Sequence, residues 1–210
     1  MNLLGHAYAS AAVGRDRPEE VLGAVLPDLA SMARVRLDRS RLPGPVAAGV
    51  RVHTTADAAF HGLAAFVRGA AALRAELAAA GVAPGPARAV GHVGWELLLD
   101  GTLVGTPAED AYRAAVAQGA AALDGVAPSD RGRFEAFLAH WDPPPVLRYD
   151  DPAWVAQRVH AMLAGRDRLR FPPEQVPVVA RVLRGHAPAV VAAAPEVLQA
   201  TTAALATALP

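Results

Sequence analysis

Between Val50 and His61 the chain carries His53, Asp57 and His61. On a helix these are positions i, i+4 and i+8, so imidazole, carboxylate and imidazole share one face. Val50, Ala58 and Ala59 fall elsewhere. Both side-chain types bind divalent metals and exchange protons near neutral pH. A polar stripe facing water is the competing explanation for this stretch taken alone. The pattern then returns: His92, Glu96 and Asp100 are again four apart. Helical bundles build metal centres this way, with facing helices each giving ligands one turn apart. Trp95, beside Glu96, could pack over such a site and exclude water.

The elements that must hold these residues read as helices. Ala, Val and Leu dominate the composition, which favours helix. Asn2 caps a first helix over residues 2–13, which carries His6 among small and apolar neighbours. By itself such a histidine reads as a core residue. Pro18 opens a second helix that reads as ending near Leu26, where Pro27 interrupts it. Asp28 follows in an apolar setting. It is either the N-cap of the next turn or a ligand, since an unpaired buried charge is costly. Pro45 opens a long helical segment through about Ala80, closed by Gly81 and Pro84-Gly85-Pro86. The second ligand pattern lies on a helix over 86–104. Further helices read as 106–123 (Thr106 N-cap, Glu109 at N3), 128–141 stopped by Asp142-Pro143-Pro144-Pro145, and 151–164 capped by Asp151. A last region from Pro172 reads as interrupted near Gly185–Pro188. His140, His160 and His186 have no spaced carboxylate and read as structural. Tyr149, Trp154 and Phe171 read as core.

No alternating strand pattern, Gly-rich phosphate loop, Gly-x-Ser-x-Gly elbow or solenoid repeat is found. The expectation is an all-α single domain of about seven to nine helices, with the metal-site half at 1–105 and helical support at 106–210. Net formal charge is zero, so no global basic field attracts nucleic acid or membrane. Cysteine is absent, which leaves a metal to His, Asp and Glu. The opening residues lack a signal-peptide pattern, and no uninterrupted apolar run reaches the roughly 20 residues of a membrane span. A soluble, cytoplasmic protein is expected. Arg34, Arg36, Arg39 and Arg41 form the only dense basic run; Lys is absent. Arg34 and Arg36, with Arg51, are candidates to meet a phosphate or an acidic partner, because guanidinium offers a planar fork of donors.

Three short motifs resemble the acyl carrier protein phosphodiesterase family, a divergent branch of the HD-like metal-dependent phosphohydrolases. Met1-Asn2-Leu3-Leu4-Gly5-His6 is similar to its opening Met-Asn-Phe-Leu-Ala-His. Leu22-Gly23-Ala24-Val25-Leu26-Pro27-Asp28 resembles Gly-Asn-Leu-Leu-x-Asp. Val46 to Asp57 resembles Val-x-x-Gly-Ile-x-x-His-Arg-x-Ile-Asp. The similarity covers about the first half of the chain. It implies an HD-like helical bundle, a divalent metal (manganese in the best-known case), and hydrolysis of the phosphodiester that joins 4′-phosphopantetheine to acyl carrier protein. It further implies His6, Asp28, His53 and Asp57 as site residues.

The chain also departs from that pattern. Thr54 and Thr55 stand where the family has basic residues, and His61 where it has Asp. His92, Glu96 and Leu97 replace an Asp followed four residues later by Asp-His. Metal ligands are therefore sought among His6, Asp28, His53, Asp57, His61, His92 and Glu96. Asp28, Asp57 and Glu96 are the carboxylates available to orient or deprotonate water. More imidazole and less carboxylate suits iron, zinc or nickel better than magnesium. A metal-dependent phosphodiesterase or phosphohydrolase is expected. The alternative is a non-catalytic helical binding protein in which a polar network replaces the metal. A ferritin-like oxygen-activating site would need Glu-x-x-His motifs, which are absent.

Overall fold

The computed structural model describes residues 1–141 and 147–209. The expected stop at Asp142–Pro145 lies outside them. Nine α-helices appear among the described residues: α1 Leu3–Ala12, α2 Pro18–Ala33, α3 Gly44–Gly62, α4 Ala64–Ala79, α5 Pro84–Gly101, α6 Pro107–Val116, α7 Arg131–Trp141, α8 Pro152–Leu163 and α9 Val176–Ala208. Four short 3-10 turns join them. The only β contact among these residues is an isolated bridge between Leu37 and Val126. The protein is all-α.

The chain forms two compact units, each assembled from discontinuous segments. The first comprises Asn2–Ala59, Gly105–Leu147 and Ala200–Pro210. Here α1, α2 and α6 pack on one another, and α7 packs on α2. Leu3, Leu4, Leu22, Leu26, Leu29, Tyr112 and Phe134 fill the core. Trp141 Nε1–H donates to the Tyr112 hydroxyl at 2.7 Å, so both polar atoms are satisfied in an apolar setting. Asn2 caps α1 by accepting from the Leu3 N–H.

Glycine sets the approach of α3 to α2. A Cβ at Gly23 would overlap the Val46 carbonyl, and one at Gly49 would overlap the Glu20 carbonyl and the Gly23 Cα. Only hydrogen at both positions lets the two backbones meet. This crossing places His53, one turn further along α3, beside the Ala24 carbonyl of α2.

The second unit comprises Met1, Phe60–Val104 and Arg148–Gln199. Its centre is the α4–α5 pair, with α8 packed on α5. Leu73, Leu77, Val90, Leu97, Val155, Val159 and Leu183 are buried. Gly69 makes room for the Trp95 indole, and Gly91 for the Ala70 carbonyl. Gly81, at φ +87°, ends α4 in the left-handed conformation that only glycine adopts at little cost.

Four helix boundaries differ from the sequence expectation, one of them the helix expected over 106–123, which stops at Val116 and gives way to a 3-10 turn over Gly119–Gly125. The segment from Pro45 to Ala80 is two helices, because Leu63 is extended (ψ 131°) between α3 and α4. In the other direction, α2 runs through Pro27, and α9 through Pro188 and Pro195. Asp28 is therefore inside a helix and is not an N-cap. Proline in a helix interior costs about 3 kcal/mol, which packing of the surrounding apolar residues outweighs here. Of α9, Val179, Val182, Leu183, Val190, Ala194, Val197 and Leu198 are buried at spacings of one, three, four and seven. Together with its preceding turn, α9 is also long and apolar enough to cross a bilayer by length and composition alone.

Candidate metal centres

The sequence-predicted ligands fall into two groups, one in each unit. In the first, one ligand atom from each of His6, Asp28 and His53 lies within 4.8 Å of the others. His6 comes from α1, Asp28 from α2, and His53 from α3. Asp57, one turn beyond His53, closes the group. His6 Nε2 is 3.3 Å from Asp57 Oδ1 and 3.7 Å from Asp28 Oδ2. His53 Nε2 is 3.7 Å from Asp57 Oδ2.

Two features orient the imidazoles. The His53 Nδ1–H donates to the Ala24 carbonyl at 2.8 Å, which leaves the Nε2 lone pair facing the carboxylates. A backbone partner on the far nitrogen is how proteins fix metal-binding histidines. The His6 and His53 rings stack at 3.9 Å between centroids. His6 is fully buried, and among the described residues neither of its ring nitrogens makes a well-aligned hydrogen bond, although Nε2 stands 3.3 Å from Asp57 Oδ1. Such an atom is an exception among buried polar groups and calls for an explanation. The carboxylates are half-buried: the Asp57 side chain is 33% exposed, and Asp28 Oδ2, which faces His6, is buried.

The charges follow from this burial. Desolvation pushes the His6 imidazole down to about 3, only partly opposed by Asp57. Desolvation also lowers His53. Burial would raise Asp57, but the close contact with His6 Nε2, foremost among the neighbouring groups, outweighs it and holds the carboxyl below its usual range. The group therefore presents neutral imidazoles and ionised carboxylate, the protonation states a cation requires.

The second group is His61, His92 and Glu96. Glu96 Oε1 lies 2.9 Å from His61 Nε2, 3.1 Å from His92 Nε2 and 3.3 Å from the Met1 amino nitrogen. Phe66 packs against both imidazoles, edge-on to His92. Phe60 packs against His61, and Trp95 against Phe60 and Phe66. Trp95 thus stands one ring behind the imidazoles and does not lie directly over them. Burial would raise the Glu96 carboxyl, but the amino terminus and the two imidazoles hold it down at about 2. Asp100, the third member of the α5 pattern, is fully buried and belongs to neither group.

Arg34, Arg36 and Arg51 lie outside both groups. Arg34 ends α2 with φ 55°, and its carbonyl accepts from Arg133. The Arg36 N–H donates to Asp130. Arg51 lines a cavity of about 150 Å³ with Arg39 and Leu42. The member of the basic run that reaches α3 is Arg39, whose guanidinium donates to Thr54 Oγ1 at 3.4 Å. Neither Arg39 nor the Phe60–Phe66 wall carries a spacing signal in the sequence. His186 pairs with Glu76 at 2.7 Å, and His160 packs edge-on to Phe171.

Fold and site together define an all-α protein with two His/carboxylate groups. Comparison with known proteins finds no matching family model, no matching curated protein and no matching solved structure.

Proposed function

We propose that the protein is a divalent-metal-dependent phosphohydrolase that acts on phosphodiesters, with His6, Asp28, His53 and Asp57 as its centre. The observation that carries this reading is the fully buried His6 imidazole, which among the described residues has no well-aligned hydrogen bond at either nitrogen although Nε2 faces two carboxylates at 3.3 and 3.7 Å. A cation is the partner that would satisfy it. The spacing fits: bonds of about 2.1 Å put neighbouring ligand atoms roughly 3.0 Å apart in an octahedron and 3.4 Å in a tetrahedron. Between two of the ligand atoms, His6 Nε2 and Asp28 Oδ2, the contact is 3.7 Å, and one ligand atom from each of His6, Asp28 and His53 lies within 4.8 Å of the others, so a bound ion would draw them slightly together.

His6, His53 and Asp28 would hold the ion, manganese by the resemblance noted above. When bound, it would polarise a phosphoryl oxygen and lower the pKa of a coordinated water. Asp57, ionised and partly open to solvent, is placed to orient that water by accepting a hydrogen bond from it. Arg39 brings a guanidinium to Thr54, where the resembled family carries its own bases. That supports recognition of a phosphate by a residue from another segment. Holo-acyl carrier protein is the natural substrate the resemblance implies.

The test begins with elemental analysis. Chelator-treated protein is then assayed on bis-(p-nitrophenyl) phosphate with and without manganese, followed by holo-acyl carrier protein. Hydrolysis should return with manganese and vanish in the His53→Ala, Asp57→Ala double variant. Activity that survives in that variant, or that ignores the metal, would rule the reading out.

A further inference from the structure

We infer that His61, His92 and Glu96 form a second binding site, for a late first-row divalent cation such as zinc, independent of the proposed catalytic centre. The inference does not rest on the hydrolase reading.

Geometry carries it. Two imidazole Nε2 atoms, from different helices, converge on one carboxylate oxygen at 2.9 and 3.1 Å. A tetrahedral zinc ion with bonds near 2.0–2.1 Å separates its ligand atoms by roughly 3.3 Å. Movements of a few tenths of an ångström would therefore turn the cluster into a three-ligand site. His92 and Glu96 are one turn apart on α5, and His61 lies in the last turn of α3. Sites on helices hold geometry better than sites on loops.

Ligand type decides the cation class. Two imidazoles and one carboxylate suit zinc, nickel or iron(II), whereas magnesium and calcium prefer all-oxygen sites. Exposure decides the kind of site. The Glu96 side chain is only 7% exposed, while His92 is 47% exposed. The carboxylate is thus a fixed floor and the imidazoles form an open rim. Three protein ligands with an open side leave a coordination position for water or a small ligand. Phe66 and Phe60 hold the ring planes from behind.

The rival is a purely hydrogen-bonded network in which both Nε2–H groups and the Met1 amino group donate to Glu96 Oε1. The two arrangements differ in protons, because a metal must displace both imidazole protons.

Chelator-treated protein is titrated with zinc by calorimetry, and with cobalt(II) while its visible d–d absorption is recorded. Each titration is run on the wild type, on His53→Ala/Asp57→Ala, on Glu96→Gln and on His92→Ala. The double variant should keep the cobalt spectrum of the second site. Glu96→Gln and His92→Ala should each lose one zinc equivalent and that spectrum. His92 is exposed, so its removal spares the fold, which circular dichroism checks. The inference is overturned if both single variants retain every zinc equivalent, or if the double variant binds no metal. Loss of phosphodiesterase activity bears only on the hydrolase reading, so the two ideas fail separately.

Discussion

The two ligand groups are built inside out relative to each other. In the first, the imidazoles are buried and the carboxylates are half-buried; in the second, the carboxylate is buried and the imidazoles are half-buried to exposed. A neutral imidazole costs less to bury than a carboxylate, but each needs hydrogen-bond partners or a cation to be tolerated. The second group supplies those partners itself, through two imidazoles and the amino terminus. The first leaves His6 without a well-aligned hydrogen bond among the described residues. A cation entering the first group fills an unmet need. One entering the second must displace protons from a network that already works.

The sharpest way to break this contrast is acid. The His6 imidazole sits at about 3 when folded and near 6.5 when unfolded. Between those values the unfolded chain binds the extra proton, so stability is full above pH 6.5 and drains away as pH falls towards 3. The whole effect is on the order of 5 kcal/mol. Glu96, at about 2 folded against 4.5 unfolded, contributes above pH 4.5 and is lost between 4.5 and 2. That term is roughly 3 kcal/mol. Denaturant unfolding of chelator-treated protein at a series of pH values should show both windows. His6→Asn should flatten the upper window and Glu96→Gln the lower. If His6→Asn keeps the wild-type slope between pH 6.5 and 4.5, the buried neutral imidazole is not the cause.

What could be read in the sequence follows from what helical spacing encodes. Four-residue spacing pairs His53 with Asp57 and His92 with Glu96, and both pairs stand. Their separation into two groups is invisible to it. Eight residues advance a helix by about 80° beyond two full turns, so His61 has rotated well away from the His53 direction. It joins the α5 pair and not its own neighbours on α3. His6 and Asp28 sit on other helices, where periodicity is silent; the motif resemblance singled out His6, whereas Asp28 already stood out as a carboxylate in an apolar setting, either an N-cap or a ligand. The prolines misled for a related reason. Pro27, Pro188 and Pro195 are local stop signals, but the apolar faces around them bury enough surface to carry each helix through.

The α2–α3 crossing gives the next test. A methyl group at Gly49 would meet backbone atoms of α2, which cannot rotate aside. Gly49→Ala should therefore cost roughly 3 kcal/mol, read as a shift of the unfolding midpoint. Forcing the helices apart also pulls His53 Nδ1 from the Ala24 carbonyl. Manganese affinity of the first group should fall, while zinc affinity of the second stays. Equal losses at both groups would mean that the glycine contact serves general packing and not His53.

Gly69→Ala is the matching change in the second unit and should be milder. The new methyl overlaps Trp95 Nε1, a side-chain atom that can shift. A cost of about 1–2 kcal/mol is expected, with altered tryptophan emission. Zinc affinity should weaken at His61, His92 and Glu96, and manganese affinity elsewhere should hold. An unchanged zinc titration would show that the aromatic wall does not position the imidazoles.

The smallest contrast lies at the helix starts. α1, which carries His6, is capped by Asn2. α5, which carries His92 and Glu96, starts at Ala83 in an extended conformation (φ −58°, ψ 152°) without a side-chain cap. Serine prefers that backbone region as an N-cap, and Pro84 already occupies the first helical position. Ala83→Ser should stabilise by about 0.5–1 kcal/mol, and Asn2→Ala should destabilise by about 1 kcal/mol. Neither should change metal stoichiometry, because each acts on the helix end and not on the ligands. A gain from Ala83→Ser accompanied by tighter zinc binding would show that fraying of the α5 start reaches His92, two turns further along the helix.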